Sequence, residues 1–159
     1  MPYGLLLALA GAGFAAIMGG IGSILGVRSA AQASTGVVSE DPDKFGKVLL
    51  LTALPGSQGI YGFLAAIIIA NAVGLLGGDV ADVTTAQGWQ ILVTSLPVAF
   101  TGLFSGIFQG RVAAAAVNIT AKQPDASGKG VILSAIVETY AVLGLLVSIL
   151  LVNGLTFGT

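Results

Sequence analysis

The sequence predicts an all-α membrane protein: four transmembrane helices forming two tandem, parallel-repeat helical hairpins. Three observations carry this expectation. They are an apolar composition with little charge, four stretches long enough to cross a bilayer, and a repeat relating one half of the chain to the other. Of 159 residues, 55% are hydrophobic and 8% charged, against roughly 25% charged in a soluble domain. So few polar groups cannot cover a surface facing water, and lipid is the expected solvent. A net charge of −1 argues against a nucleic-acid partner, which usually needs a basic patch. The chain has no Cys and no His. That removes disulfides, the commonest zinc ligands and Ser-His-Asp catalysis.

A helix needs about 20 apolar residues to cross the hydrocarbon core. Four stretches qualify: Leu5 to Val27, Val48 to Leu76, Gln90 to Val117 and Val131 to Val152. Backbone groups in lipid must be paired internally, so these are helices rather than strands. The first basic residue, Arg28, follows the N-terminal apolar run instead of preceding it. The run therefore reads as a retained span, since a cleaved signal needs a positive segment in front. All six basic residues sit in two expected loops, Arg28, Lys44 and Lys47 in the first and Arg111, Lys122 and Lys129 in the third. The positive-inside rule puts loops 28–47 and 118–130 in the cytoplasm, and both termini and the middle loop, around Asp79 and Asp82, outside.

The halves align without gaps at a shift of 82 residues. Pro42-Asp43 meets Pro124-Asp125, and Gly46-Lys47 meets Gly128-Lys129. Gly20, Ser23, Ala31, Ala33, Ala53, Gly62, Leu64, Ile67 and Asn71 each meet an identical residue. Residues 1–77 form the first hairpin and 78–159 the second. Two spans per repeat make the halves parallel, unlike inverted transporter repeats. Glu138 falls opposite Gly56, so only the second hairpin has the acid.

Small residues recur every four positions in the odd-numbered helices: Ala8, Ala12, Ala16 and Gly20 in the first, Gly102, Gly106, Gly110 and Ala114 in the third. Such spacing lets backbones approach closely in lipid. It fits ordinary helix pairing within one subunit. It also fits a ring of many copies, with helices one and three on a crowded inner wall and two and four outside.

Glu138 lies well inside the fourth span. A carboxylate there costs several kcal/mol unless paired or protonated, which makes it a functional candidate. Counting from the turns near Pro42 and Pro124, Ser57, Gln58, Gln109 and Glu138 lie at one level, roughly 21–24 Å along their helices. Leu54, Ser57, Gln58 and Tyr61 share a helix face, and Pro55 cannot donate to the carbonyl of Leu51 and bends that helix. One carboxylate, two amide carbonyls and a hydroxyl make a hard-oxygen set suited to a hard cation. A single negative charge matches a monovalent ion. A pure proton site has no need of two glutamines.

At these residues the chain resembles the duplicated proteolipid, the c- or K-subunit, of bacterial V-type sodium ATPases. The resemblance rests on Leu54-Pro-Gly-Ser-Gln-Gly-Ile-Tyr-Gly-Phe63, Ser95-Leu-Pro-Val-Ala-Phe-Thr-Gly-Leu-Phe-Ser-Gly-Ile-Phe-Gln-Gly110 and Val137-Glu-Thr-Tyr140, and it covers almost the whole chain. It implies a rotor ring of identical four-helix subunits in the cell membrane, each binding one Na+ through Glu138, Gln109, Gln58, the Ser57 hydroxyl and the Leu54 carbonyl. Tyr61 matches the residue that hydrogen-bonds the carboxylate and closes the site. The implied partners are further copies, a static membrane subunit supplying an arginine, central-stalk subunits and lipid. The family motif usually has Thr at the position of Ser57; the hydroxyl survives and the methyl is lost, which bears on affinity rather than ligand identity. No Walker A pattern of the form GxxxxGK[ST] is present, so ATP hydrolysis is expected on another subunit. The alternatives are the same rotor carrying H+, an independent small channel or transporter, and a structural membrane protein without an ion site.

Overall fold

The computed structural model describes residues 3–155, and among them every regular element is helical. The helices are α1 (Tyr3–Glu40), α2 (Phe45–Ala53), α3 (Ser57–Ala72), α4 (Thr85–Lys122) and α5 (Ser127–Asn153). Short 3-10 turns at Pro42–Lys44 and Pro124–Ala126 lead into α2 and α5, and a third, Leu54–Gly56, joins α2 to α3. Four helical runs are long and apolar enough to cross a membrane: Tyr3–Glu40, Pro42–Ala72, Thr85–Lys122 and Pro124–Asn153.

The connections follow from local chemistry. A proline cannot donate a backbone bond and disfavours helix at the residue before it. Pro42 and Pro124 therefore turn the chain at the same place in each repeat. Asp41 caps the first turn by accepting from the Asp43 N–H at 3.2 Å. At the opposite end Gly74 adopts φ +73°, the left-handed conformation that ends α3. Thr84 then starts α4 through a reciprocal capping box with Gln87.

Two expectations need correction. The basic loops are largely helix: α1 runs to Glu40 and α4 to Lys122, so Arg28 and Arg111 lie on helices and each hairpin turn is short. Hydropathy marks only the part of a helix that lies in lipid, whereas 38-residue helices reach about 57 Å, nearly twice the hydrocarbon thickness. Leu76 falls past the end of α3. The small-residue stripe is also not a strict fourfold one. Ala8, Ala12, Gly102, Gly106 and Gly110 are buried, but Ala16, Gly20 and Ala114 are only half-buried. At 3.6 residues per turn a spacing of four precesses about 40° each step. The buried line on α1 mixes steps of three and four, through Ala8, Gly11, Ala15, Gly19, Gly22, Gly26 and Ala30.

That line packs on α4. A methyl added to Gly106 would lie 2.5 Å from the carbonyl carbon of Gly22, and one on Gly22 2.5 Å from the carbonyl oxygen of Gly102. The two long helices thus meet backbone to backbone. The second and fourth spans flank them and are less buried, 28% of their most apolar windows against 39% and 44% for the first and third. Apolar clusters hold the bundle at several levels. One joins Ala15, Ala65, Val98 and Leu145, and another joins Val48, Leu51, Ala116 and Val117. Along the second span, α2 to α3, and along α4 the glutamines fall between these clusters, which wall the polar level off along the bundle axis.

Candidate functional site

The site begins with the break at Pro55. The ring has no N–H, the α-helix gives way to the 3-10 turn Leu54–Gly56, and α3 restarts at Ser57. A new helix start leaves N–H groups without intrahelical acceptors. Here α1 supplies one: the Gly59 N–H donates to Ser23 Oγ at 2.7 Å. The Leu54 carbonyl accepts from the Ser57 N–H and from Ser57 Oγ at 3.0 Å. The two expected oxygen ligands on the break are therefore paired with each other. Pro97, inside α4, is accommodated in the same way: the Val98 N–H donates to Ser148 Oγ of α5 at 3.1 Å.

At the second residue of α3, Gln58 points into the bundle and is fully buried, as is Gln109 on α4. Gln58 Nε2 donates to Gln109 Oε1 and, at 3.2 Å, to Ser105 Oγ. Gln109 Nε2 donates to Glu138 Oε2 at 3.3 Å. Tyr61 Oη donates to the other carboxylate oxygen, Oε1, at 2.6 Å. Three helices, α3, α4 and α5, thus place Gln58, Tyr61, Gln109 and Glu138 in one connected network. Glu138 and Tyr61 are half-buried at its outer rim, while the glutamines lie within.

The donor count is informative. Both Nε2 hydrogens of Gln58 are used, and Gln58 Oε1, although buried, accepts nothing. A buried acceptor without a donor is costly, and a cation is the partner that would satisfy it without supplying a hydrogen. The oxygen set fits such an ion: one carboxylate, an amide carbonyl and the oxygens of the break, with no cluster of three or more His, Cys, Asp or Glu among the described residues. A multivalent metal usually demands more charge than that.

Ser105 is the residue that sequence reasoning missed. It is 5% exposed and donates to the Val137 carbonyl at 2.9 Å while accepting from Gln58. The available signal was its spacing, one turn before Gln109 on the same face.

Comparison with known proteins agrees with the repeat. The family model for the ATP synthase C-subunit matches twice, at residues 10–69 and 92–151, the same 82-residue offset that aligns the halves. The chain is 46% identical over 149 residues to the K-subunit of the V-type sodium ATPase of Enterococcus hirae, covering 94% of this chain and 92% of that one. It is 43% identical over 144 residues to the K-subunit of the A-type ATP synthase of Methanocaldococcus jannaschii, covering 91% of this chain and 62% of the relative. Against the 16 kDa proteolipid c-subunit of the human V-type proton ATPase the identity is 26% over 152 residues, with 94% and 92% covered. The chain belongs to the ATP synthase C-subunit family and carries two of its units in tandem.

Proposed function

We propose that this protein is the membrane rotor subunit of a rotary ATPase, assembling with identical copies into a ring and carrying one Na+ per subunit. The observation that carries the reading is the buried, unpartnered Oε1 of Gln58 in a network that ends on the carboxylate of Glu138. In this reading Glu138, Gln109, Gln58, the Ser57 hydroxyl and the Leu54 carbonyl hold the ion, the last two after releasing each other. Tyr61 holds the carboxylate and closes the outer side. The 46% identity to a sodium ATPase subunit supports sodium over protons.

The mechanism follows from charge. With its ion, Glu138 is neutral overall and can face lipid; without it, the anion is confined to polar surroundings. The half-buried rim position of Glu138 leaves it open to a static neighbour, whose arginine pairs with the emptied carboxylate between two half-channels. Moving one charge against 100 mV costs about 2.3 kcal/mol, which ATP hydrolysis on a separate subunit supplies through a central stalk. The basic hairpin ends, near Lys44 and Lys122, face the cytoplasm. The expectation that both termini lie outside falls on residues 1–2 and 156–159, beyond the described residues.

The test is chemical modification of the purified ring. A hydrophobic carbodiimide reacts with Glu138 when its carboxyl is protonated, and sodium protects by holding the carboxylate ionised and occupied. Protection weakens as pH falls, because protons compete for the same oxygens. Glu138→Gln removes modification and ion translocation while the ring still assembles. Absence of protection by up to molar sodium above neutral pH would replace the sodium rotor with a proton rotor.

A further inference from the structure

The geometry points to Ser105 as a positioning residue that fixes which way the Gln58 amide faces, and so whether the site presents an oxygen or an N–H to its ion. This rests on the sodium reading above.

The argument is one of hydrogen-bond direction. A backbone carbonyl can only accept. Ser105 Oγ has one hydrogen, and it goes to the Val137 carbonyl at 2.9 Å. Toward Gln58 the hydroxyl can then only accept. That forces the amide nitrogen of Gln58, not its oxygen, to face Ser105, at 3.2 Å. The second Nε2 hydrogen goes to Gln109 Oε1, which turns the Gln109 nitrogen toward Glu138 Oε2 at 3.3 Å. The bonds therefore diverge from Gln58 Nε2, one arm running through Ser105 to the Val137 carbonyl and the other through Gln109 to the carboxylate of the very next residue. The consequence is the buried but unused lone pairs of Gln58 Oε1, which accepts no bond. Both amides are fully buried and Ser105 is nearly so, so water does not arbitrate the direction.

Ser105 has a counterpart in the first repeat, Ser23, but its hydroxyl accepts from the Gly59 N–H at 2.7 Å. The same repeat position thus repairs a helix break in one half and sets amide polarity in the other. The difference follows the break at Pro55, which stands where the second repeat has Val137 in unbroken helix; past the break the helix restarts at Ser57.

Without the Ser105 hydroxyl only Gln109 Oε1 still holds the Gln58 nitrogen, so rotation of the amide to offer N–H groups to the ion becomes easier. Sodium binding is weakened by that reversal, whereas protonation of Glu138 is not. Carbodiimide modification of the intact ring, titrated with sodium, separates the two. Ser105→Ala raises the sodium needed for half-protection at least about fivefold and leaves the pH dependence of modification in sodium-free medium unchanged. Ser105→Thr keeps the wild-type requirement and Ser105→Val, of the same shape without the hydroxyl, does not. Because the effect acts through Gln58, Ser105→Ala adds nothing in a Gln58→Ala background. Wild-type sodium requirements in both Ser105→Ala and Ser105→Val overturn the inference while leaving the sodium site standing, as does full additivity with Gln58→Ala. A wild-type ring that sodium does not protect overturns the sodium reading and this inference together.

Discussion

Gln109 touches both halves of the duplicated chain, accepting from Gln58 on α3 and donating to Glu138 on α5. Its loss takes one partner from the buried Gln58 and one from the half-buried Glu138 at once, so Gln109→Ala should raise the sodium needed for half-protection more than any other single neutral change at the site. Ser57→Ala removes one hydroxyl whose present bond is to the Leu54 carbonyl. Its cost should be nearer the 1 kcal/mol of a single neutral hydrogen bond, about a fivefold rise. Tyr61→Phe deletes the 2.6 Å donor to Glu138; the carboxylate is then less restrained, and half-protection should again need more sodium, without loss of the ring. Sodium titrations of carbodiimide labelling rank all three, and equal effects for Gln109 and Ser57 would contradict the network. The two glutamines and the acid were legible in the sequence because such residues are conspicuous in apolar helices. Ser105 was not, for a physical reason. Hydroxyls in membrane helices commonly bond their own backbone, as Ser95 does to the Leu92 carbonyl at 2.6 Å and Thr101 to the Pro97 carbonyl at 2.7 Å. Residue type alone cannot tell a hydroxyl that turns inward from one that bonds across helices.

Among elements, the contact between α1 and α4 sets the spacing of everything else, since α3 and α5 lie against these two. Gly106→Ala drives a methyl to 2.5 Å from the Gly22 backbone, and backbone cannot yield as a side chain can. The variant should lower the yield of folded subunit, measured by thermal stability in detergent. Gly20→Ala, whose methyl meets nothing within 4 Å, should leave that stability unchanged. Equal losses in the two would show that the small residues act by composition and not by placement. Helix number, the repeat and the Pro55 break were all readable, because lipid demands long apolar helices and proline lacks a donor. The extent of α1 and α4 was not, because helices continue into water on capping and packing, which leave no hydropathic signal. The true line of contact escaped for a similar reason: small residues are so common in α1 that several stripes fit, and only the 3.6-residue turn chooses among them.

At the scale of the whole molecule the two hairpin turns meet on one side, where Lys44 Nζ donates to the Ala121 carbonyl at 3.0 Å and Lys47 lies 3.7 Å from Asp125. If the basic ends face the cytoplasm as proposed, an impermeant thiol reagent on intact cells should label Asp82→Cys, exposed on the opposite connection, and leave Lys122→Cys untouched until the cells are opened. The reverse pattern would invert the topology. One feature of the second span acquires its meaning only in the turning assembly. Gly56 closes the 3-10 turn at the repeat position that Glu138 holds in the other half, so at that level only one hairpin in two carries a carboxylate. A rotor of this kind moves half as many ions per revolution as one with an acid in every hairpin. The work of each ATP is then divided among fewer ions, and each is driven against twice the membrane voltage before the motor stalls. Replacing a carboxylate with a hydrogen atom in one repeat therefore sets a low gear: less transport per fuel molecule, and a steeper gradient at the limit.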